Sequence, residues 1–123
     1  YVFEHSRRLI SEISGRVPVI HFGTGNPALL PLMAEAGGDV MALDWRAPLR
    51  ESWDLMGVPA VQGNMDPVAL FAKKEAMLAT AGSVMKEVER RPGHIFNLGH
   101  GILPETPVDN VKALVDFVHE YQV

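Results

Sequence analysis

Four short stretches rich in apolar residues recur along the chain, at residues 17–22 (VPVIHF), 39–45 (DVMALDW), 60–65 (AVQGNM) and 95–98 (IFNL). Short apolar runs bounded by glycine, proline, asparagine and aspartate predict strands, and near-continuous runs fit a parallel sheet covered on both faces. Between them the apolar spacing turns helical. Val2, Leu9, Ile10 and Ile13 share a helical period over residues 1–14, and Val111, Leu114, Val115 and Val118 line one face of a helix over 107–121. Residues 27–36, 48–56 and 66–91 complete the helices, with Gly82 a predicted break in the longest. Pro27, Pro48, Pro67 and Pro107 open four of these helices, where a missing N–H costs nothing. Asn26 is the expected cap of the helix at 27, and Thr106 with Asp109 the expected capping box of the last helix.

Strand starts near residues 17, 39, 60 and 94 are spaced as four successive βα units. Four right-handed units make half of an eight-stranded α/β barrel or most of a small doubly wound sheet, and the pattern alone leaves both open. No linker of biased composition divides the chain, so residues 1–123 form one unit. A first residue already inside an amphipathic helix predicts a fragment that lacks an N-terminal part.

Composition narrows the function. The formal net charge is -4, and only Arg7-Arg8, Lys73-Lys74 and Arg90-Arg91 are adjacent basic pairs, so no basic stripe for nucleic acid is present. No apolar run is long enough to span a bilayer. With no cysteine there is no disulfide, thiolate nucleophile or zinc-thiolate site, which fits a cytoplasmic protein. The six methionines are scattered through strands and helices and read as core filling.

The candidate chemistry lies at the ends of the expected strands. His94-Ile95-Phe96-Asn97-Leu98-Gly99-His100-Gly101 brings His100 to the C-terminal end of the fourth strand, where ligands bind in alternating strand–helix folds. The flanking glycines let backbone approach a ligand, and an imidazole there can bind a carboxylate or move a proton. Asn64, at the mouth of the third strand, is a candidate pocket residue, with a satisfied loop amide as the alternative. Asp44 either lines the site, caps the following helix or pairs with Arg46. His21, on an apolar strand, reads as a hydrogen-bonded core residue. The loop Gly23-Thr24-Gly25-Asn26 lacks the third glycine of a dinucleotide fingerprint.

Three segments, residues 40–45 (VMALDW), 61–67 (VQGNMDP) and 97–104 (NLGHGILP) followed by Thr106-Pro107 and the helix with Val111, resemble the uroporphyrinogen decarboxylase family. The resemblance covers essentially the whole chain in order. It implies a (β/α)8 TIM barrel, of which this chain would be the C-terminal half with its last four βα units. It implies the decarboxylation of the four acetate side chains of uroporphyrinogen III to coproporphyrinogen III in haem biosynthesis, with no metal or organic cofactor, by a homodimer. The resemblance carries the family's strand-end histidine onto His100. It places the main acidic residue, an arginine-rich segment, a tyrosine and a small hydroxyl residue upstream of Tyr1. Attraction for a substrate with eight carboxylates would then come from that upstream part, because this half is acidic.

Two other readings compete. Cobalamin-dependent methyltransferases resemble this family but hold zinc partly through cysteine, which this chain lacks. Taken alone, the chain reads as an inactive half-barrel that pairs through exposed strand edges with a second copy or its missing half.

Overall fold

The structure is a computed structural model that describes residues 1–88 and 91–121. Helix α1 (Val2–Ile13) leads into strand β1 (Ile20–Phe22), a 3-10 turn (Pro27–Leu29) and α2 (Leu30–Ala36). Strand β2 (Val40–Ala42) is followed by α3 (Leu49–Met56), and β3 (Val61–Met65) by a second 3-10 turn (Pro67–Phe71) and α4 (Lys74–Glu87). Strand β4 (His94–Leu98) and α5 (Val108–Glu120) complete the series.

The four strands form one parallel sheet in the order β1-β2-β3-β4. That order decides between the two architectures left open above. A doubly wound sheet reverses direction at a switch point, whereas strands added always on the same side are those of a (β/α)8 barrel. The register pairs His21 with Met41, Met41 with Val61 and Val61 with His94, so these four lie in one row on the helix-covered face.

That face supplies the core. Met41, Leu43 and Val61 pack with Leu30, Leu49 and Trp53 in one cluster, and Met65 packs with Leu70, Met77, Ala81 and Leu114 in another. Three methionines, Met41, Met65 and Met77, sit buried in these clusters. Burying a side chain of this size contributes about 1.5–3 kcal/mol, which makes the two clusters the main source of stability. The opposite face is uncovered: Ile20, Phe22 and Ile95 remain 50%, 48% and 44% exposed.

Several expectations are corrected. Gly82 does not interrupt a helix but lies inside α4, next to Ala81 on the face that packs against α5; a Cβ there would make only an ordinary contact, 3.6 Å from the Phe117 ring. The break falls instead at Ala72, where the 3-10 turn ends in extended backbone. Pro48 and Pro107 are the residues before α3 and α5 rather than their first turns, each extended with ψ near 120°. The Thr106–Asp109 capping box therefore does not form: Pro107 takes the cap position, and Thr106 is buried one residue too early. Asn26 does cap, accepting from the Ala28 N–H at 3.0 Å, and Asp66 accepts from the Val68 N–H at 2.9 Å. Residues 17–19, 39 and 43–45 lie outside the regular strands, because the ladder shortens where the chain bends into the loops. The predicted end of the fourth helix, at residues 88–91, falls partly on 89 and 90, which lie outside the described residues.

Candidate functional site

Each strand hands the chain to a loop on the same edge of the sheet, and these loops carry nearly every polar side chain singled out above. Asp44 is the hub. It is 5% exposed, and its carboxylate accepts from the Thr24 hydroxyl, from the Arg46 N–H at 2.9 Å and from Arg46 Nη1 at 3.0 and 2.8 Å. Burial pushes the carboxyl up, but the Thr24 hydroxyl and the Arg46 amide and guanidinium outweigh it and hold Asp44 below its ordinary value. The Arg46 guanidinium in turn lies over the Trp45 ring, 4.4 Å from its centroid. Of the alternatives the sequence left open, the structure shows the pairing with Arg46; Asp44 does not cap α3, which has no side-chain cap, and its carboxylate also closes the turn onto the Arg46 N–H.

Asn64 is buried beneath the same turn. Its Nδ2 donates to the Asp44 carbonyl at 3.1 Å and to the Ala47 carbonyl at 2.5 Å. Among the described residues this is the satisfied loop amide, with Oδ1 the atom left for any other partner. His21 also sits as a bonded residue of the helix-covered face, with Nδ1 3.0 Å from the Gly37 carbonyl.

His100 is exposed and follows Gly99, whose N–H donates to the Met65 carbonyl at 2.8 Å. Gly99 rests directly on the backbone of Trp45: an added methyl would stand 2.6 Å from the Trp45 Cα. No other residue fits that approach. His100 lines a cleft of about 410 Å³ together with Ile20, Phe22, Ala42, Gln62 and Asn97, the uncovered face of the sheet. The cleft is mostly apolar at its floor, where the Gln62 amide shares a row with Phe22 and Ala42, and it carries the Asn97 amide and the imidazole toward the strand ends. Such a surface can take the flat apolar body of a ligand and meet anionic substituents at the edge. Among the described residues no group of three or more His, Asp or Glu side chains converges as a metal site.

Sequence reasoning did not single out Thr24, Gln62, Asn97 or Phe22. Period-2 alternation within the strands could have found the last three, since each sits one position from a helix-facing residue. Thr24 carried no signal, because its partner is twenty residues away in sequence.

Comparison with known proteins completes the description. The family model described as uroporphyrinogen decarboxylase (URO-D) matches residues 1–121. This chain belongs to that family. The uroporphyrinogen decarboxylase of Koribacter versatilis is 52% identical over 124 residues, covering 98% of this chain and 35% of the relative. That of Solibacter usitatus is 52% identical over 120 residues, covering 96% of this chain and 35% of the relative. The chain thus spans about a third of the length of these relatives. Among solved structures, a methyltransferase from Methanosarcina mazei superposes with a TM-score of 0.82 at 21% identity, over 98% of this chain and 35% of that one. At that identity the likeness concerns the fold alone, and it agrees with four βα units of a barrel. No helix among the described residues is long and apolar enough to cross a membrane.

Proposed function

We propose that residues 1–123 are the C-terminal half of the barrel of a uroporphyrinogen decarboxylase, which converts the four acetate side chains of uroporphyrinogen III to the methyls of coproporphyrinogen III. In each step a C–C bond breaks, carbon dioxide leaves and a proton takes its place. The electron pair passes through the protonated pyrrole ring, so the reaction asks of the protein only charge stabilisation, orientation and proton delivery. No metal or organic cofactor is required.

The match of residues 1–121 to a single family carries this reading. In it, His100 binds a substrate carboxylate or shares in proton transfer from the rim of the cleft, and the apolar floor of Ile20, Phe22 and Ala42 supports the tetrapyrrole. Asn64 is assigned to substrate binding at the same end of the sheet; it is buried with Nδ2 committed to the Asp44 and Ala47 carbonyls, so its part is to hold the turn beside the cleft. The enzyme is a cytoplasmic homodimer, with neither nucleic acid nor membrane as partner. Expressed alone, residues 1–123 are inactive and associate through the open edges of β1 and β4 and the apolar face between them.

The test is an anaerobic assay of the full-length protein with a chelator present, products being separated by carboxylate count. Successive appearance of products with seven, six, five and four carboxylates is expected, and His100→Ala should slow it by about 10²-fold. Unchanged substrate overturns the proposal. Sedimentation of residues 1–123 tests the association, which a dilute monomer with cooperative unfolding would refute.

A further inference from the structure

The turn after β2 is fastened at more points than its length requires. Thr24, reaching from the loop after β1, and Arg46 hold the Asp44 carboxylate; Asn64, from β3, holds the Asp44 and Ala47 carbonyls; and the Ala47 N–H donates to the Asp44 carbonyl at 3.0 Å. Residue 45 sits in the middle of this network and cannot shift without breaking part of it. On its backbone rests Gly99, pinned from the other side by the Met65 carbonyl at 2.8 Å. His100 is the next residue. Because its side chain is exposed, the backbone on either side is what places it.

We propose that Asp44 is a positioning residue for His100, acting through the turn at 44–47 and the seat that Trp45 offers to Gly99. This rests on the reading that His100 works on the substrate. Asp44 itself is turned toward Thr24 and Arg46 and is not among the residues lining the cleft. Its effect on turnover therefore passes through the peptide at 99, and an offset of about 1 Å at a reacting group can cost about 10²-fold in rate. The contact also explains why residue 99 is glycine: the loop that carries the imidazole is located by backbone lying against backbone, which leaves little room for sliding.

The experiment compares Asp44→Asn and Thr24→Val with the parent in the full-length protein, by amide hydrogen exchange and by steady-state kinetics, each also in a His100→Ala background. Weakening the carboxylate's bonds to Thr24 and Arg46 should raise exchange at residues 99–101 by about tenfold or more. It should lower kcat by about ten- to a hundredfold, with a smaller change in KM. In the His100→Ala background the same substitution should add less than about twofold, because both changes remove one function. Unchanged exchange at 99–101, or a full additive loss when His100 is already absent, overturns the proposal. Thr24→Val removes only one donor and gives a smaller effect of the same direction, so it decides the matter should Asp44→Asn fail to fold. If the parent does not decarboxylate uroporphyrinogen, the proposed activity falls, while the exchange data still decide whether Asp44 orders the loop.

Discussion

The imidazole Nε2 of His94 lies 2.7 Å from the carbonyl oxygen of Gly63, across the β3–β4 ladder. Burial lowers the His94 pKa from its ordinary value, and the Gly63 carbonyl, which favours the protonated ring, offsets only part of that. The unfolded chain, titrating near 6.5, therefore binds more protons than the folded one between the two values. Stability is full above about pH 6.5 and falls as pH drops below it. Urea unfolding of the full-length protein at pH 7.5, 6 and 5 should show the midpoint falling, and His94→Gln should flatten the change attributable to this residue. A His94→Gln protein with the parent's pH profile would refute the assignment.

Asp44 acts on the other side of the scale. Its folded pKa is depressed, so its contribution is complete above the unfolded value near 3.9 and is lost as pH falls through the lower folded one. Asp44→Asn should remove this acid limb. At neutral pH it should cost about 1–3 kcal/mol, since the Thr24 hydroxyl and Arg46 lose a charged acceptor. Acid titration of parent and variant, followed by circular dichroism, checks both.

Trp53 is 1% exposed at the centre of the first cluster. Its Nε1 donates to the Val58 carbonyl at 2.7 Å, and the Arg91 guanidinium lies 4.0 Å from its ring centroid while also pairing with Asp54. Trp53→Ala should cost about 3–5 kcal/mol by leaving a cavity. Trp53→Phe should cost less, about 1–3 kcal/mol, most of it from the Val58 carbonyl left without its donor. Denaturant midpoints order the three proteins.

The Thr106 hydroxyl is buried and has no hydrogen-bond partner among the described residues. Thr106→Val keeps the shape and removes the orphan group, so it should stabilise the protein by about 1 kcal/mol. Thr106→Ser should destabilise it, because it deletes a methyl and keeps the hydroxyl. A Val variant less stable than the parent would mean that the hydroxyl has a partner.

How much of this was readable beforehand depends on the range of the interaction. Strand and helix order and the place of His100 at a strand end follow from local spacing, and each is present; of the four prolines expected to open helices, Pro27 and Pro67 open 3-10 turns, while Pro48 and Pro107 stand one residue before α3 and α5. The Asn26 cap is as local as these and is correct. The capping box at Thr106 failed by one residue, since either Thr106 or Pro107 could end the loop and only the packing of that loop chose. The same holds for Gly82, whose reading as a helix break took no account of Met77 and Ala81, which hold α4 against Leu114 of α5.

The sequence by itself determined four βα units, an acidic cysteine-free chain and a family resemblance that the match over residues 1–121 supports. These depend on hydrophobic period, on backbone limits at glycine and proline, and on residue identity, all of which are written along the chain. Tertiary structure alone decided that the strands add in the order β1-β2-β3-β4, that Asp44 draws in Thr24, and that Gly99 settles on Trp45. Those outcomes join residues twenty to fifty-four positions apart, and no local propensity specifies which partners will meet once the core has closed.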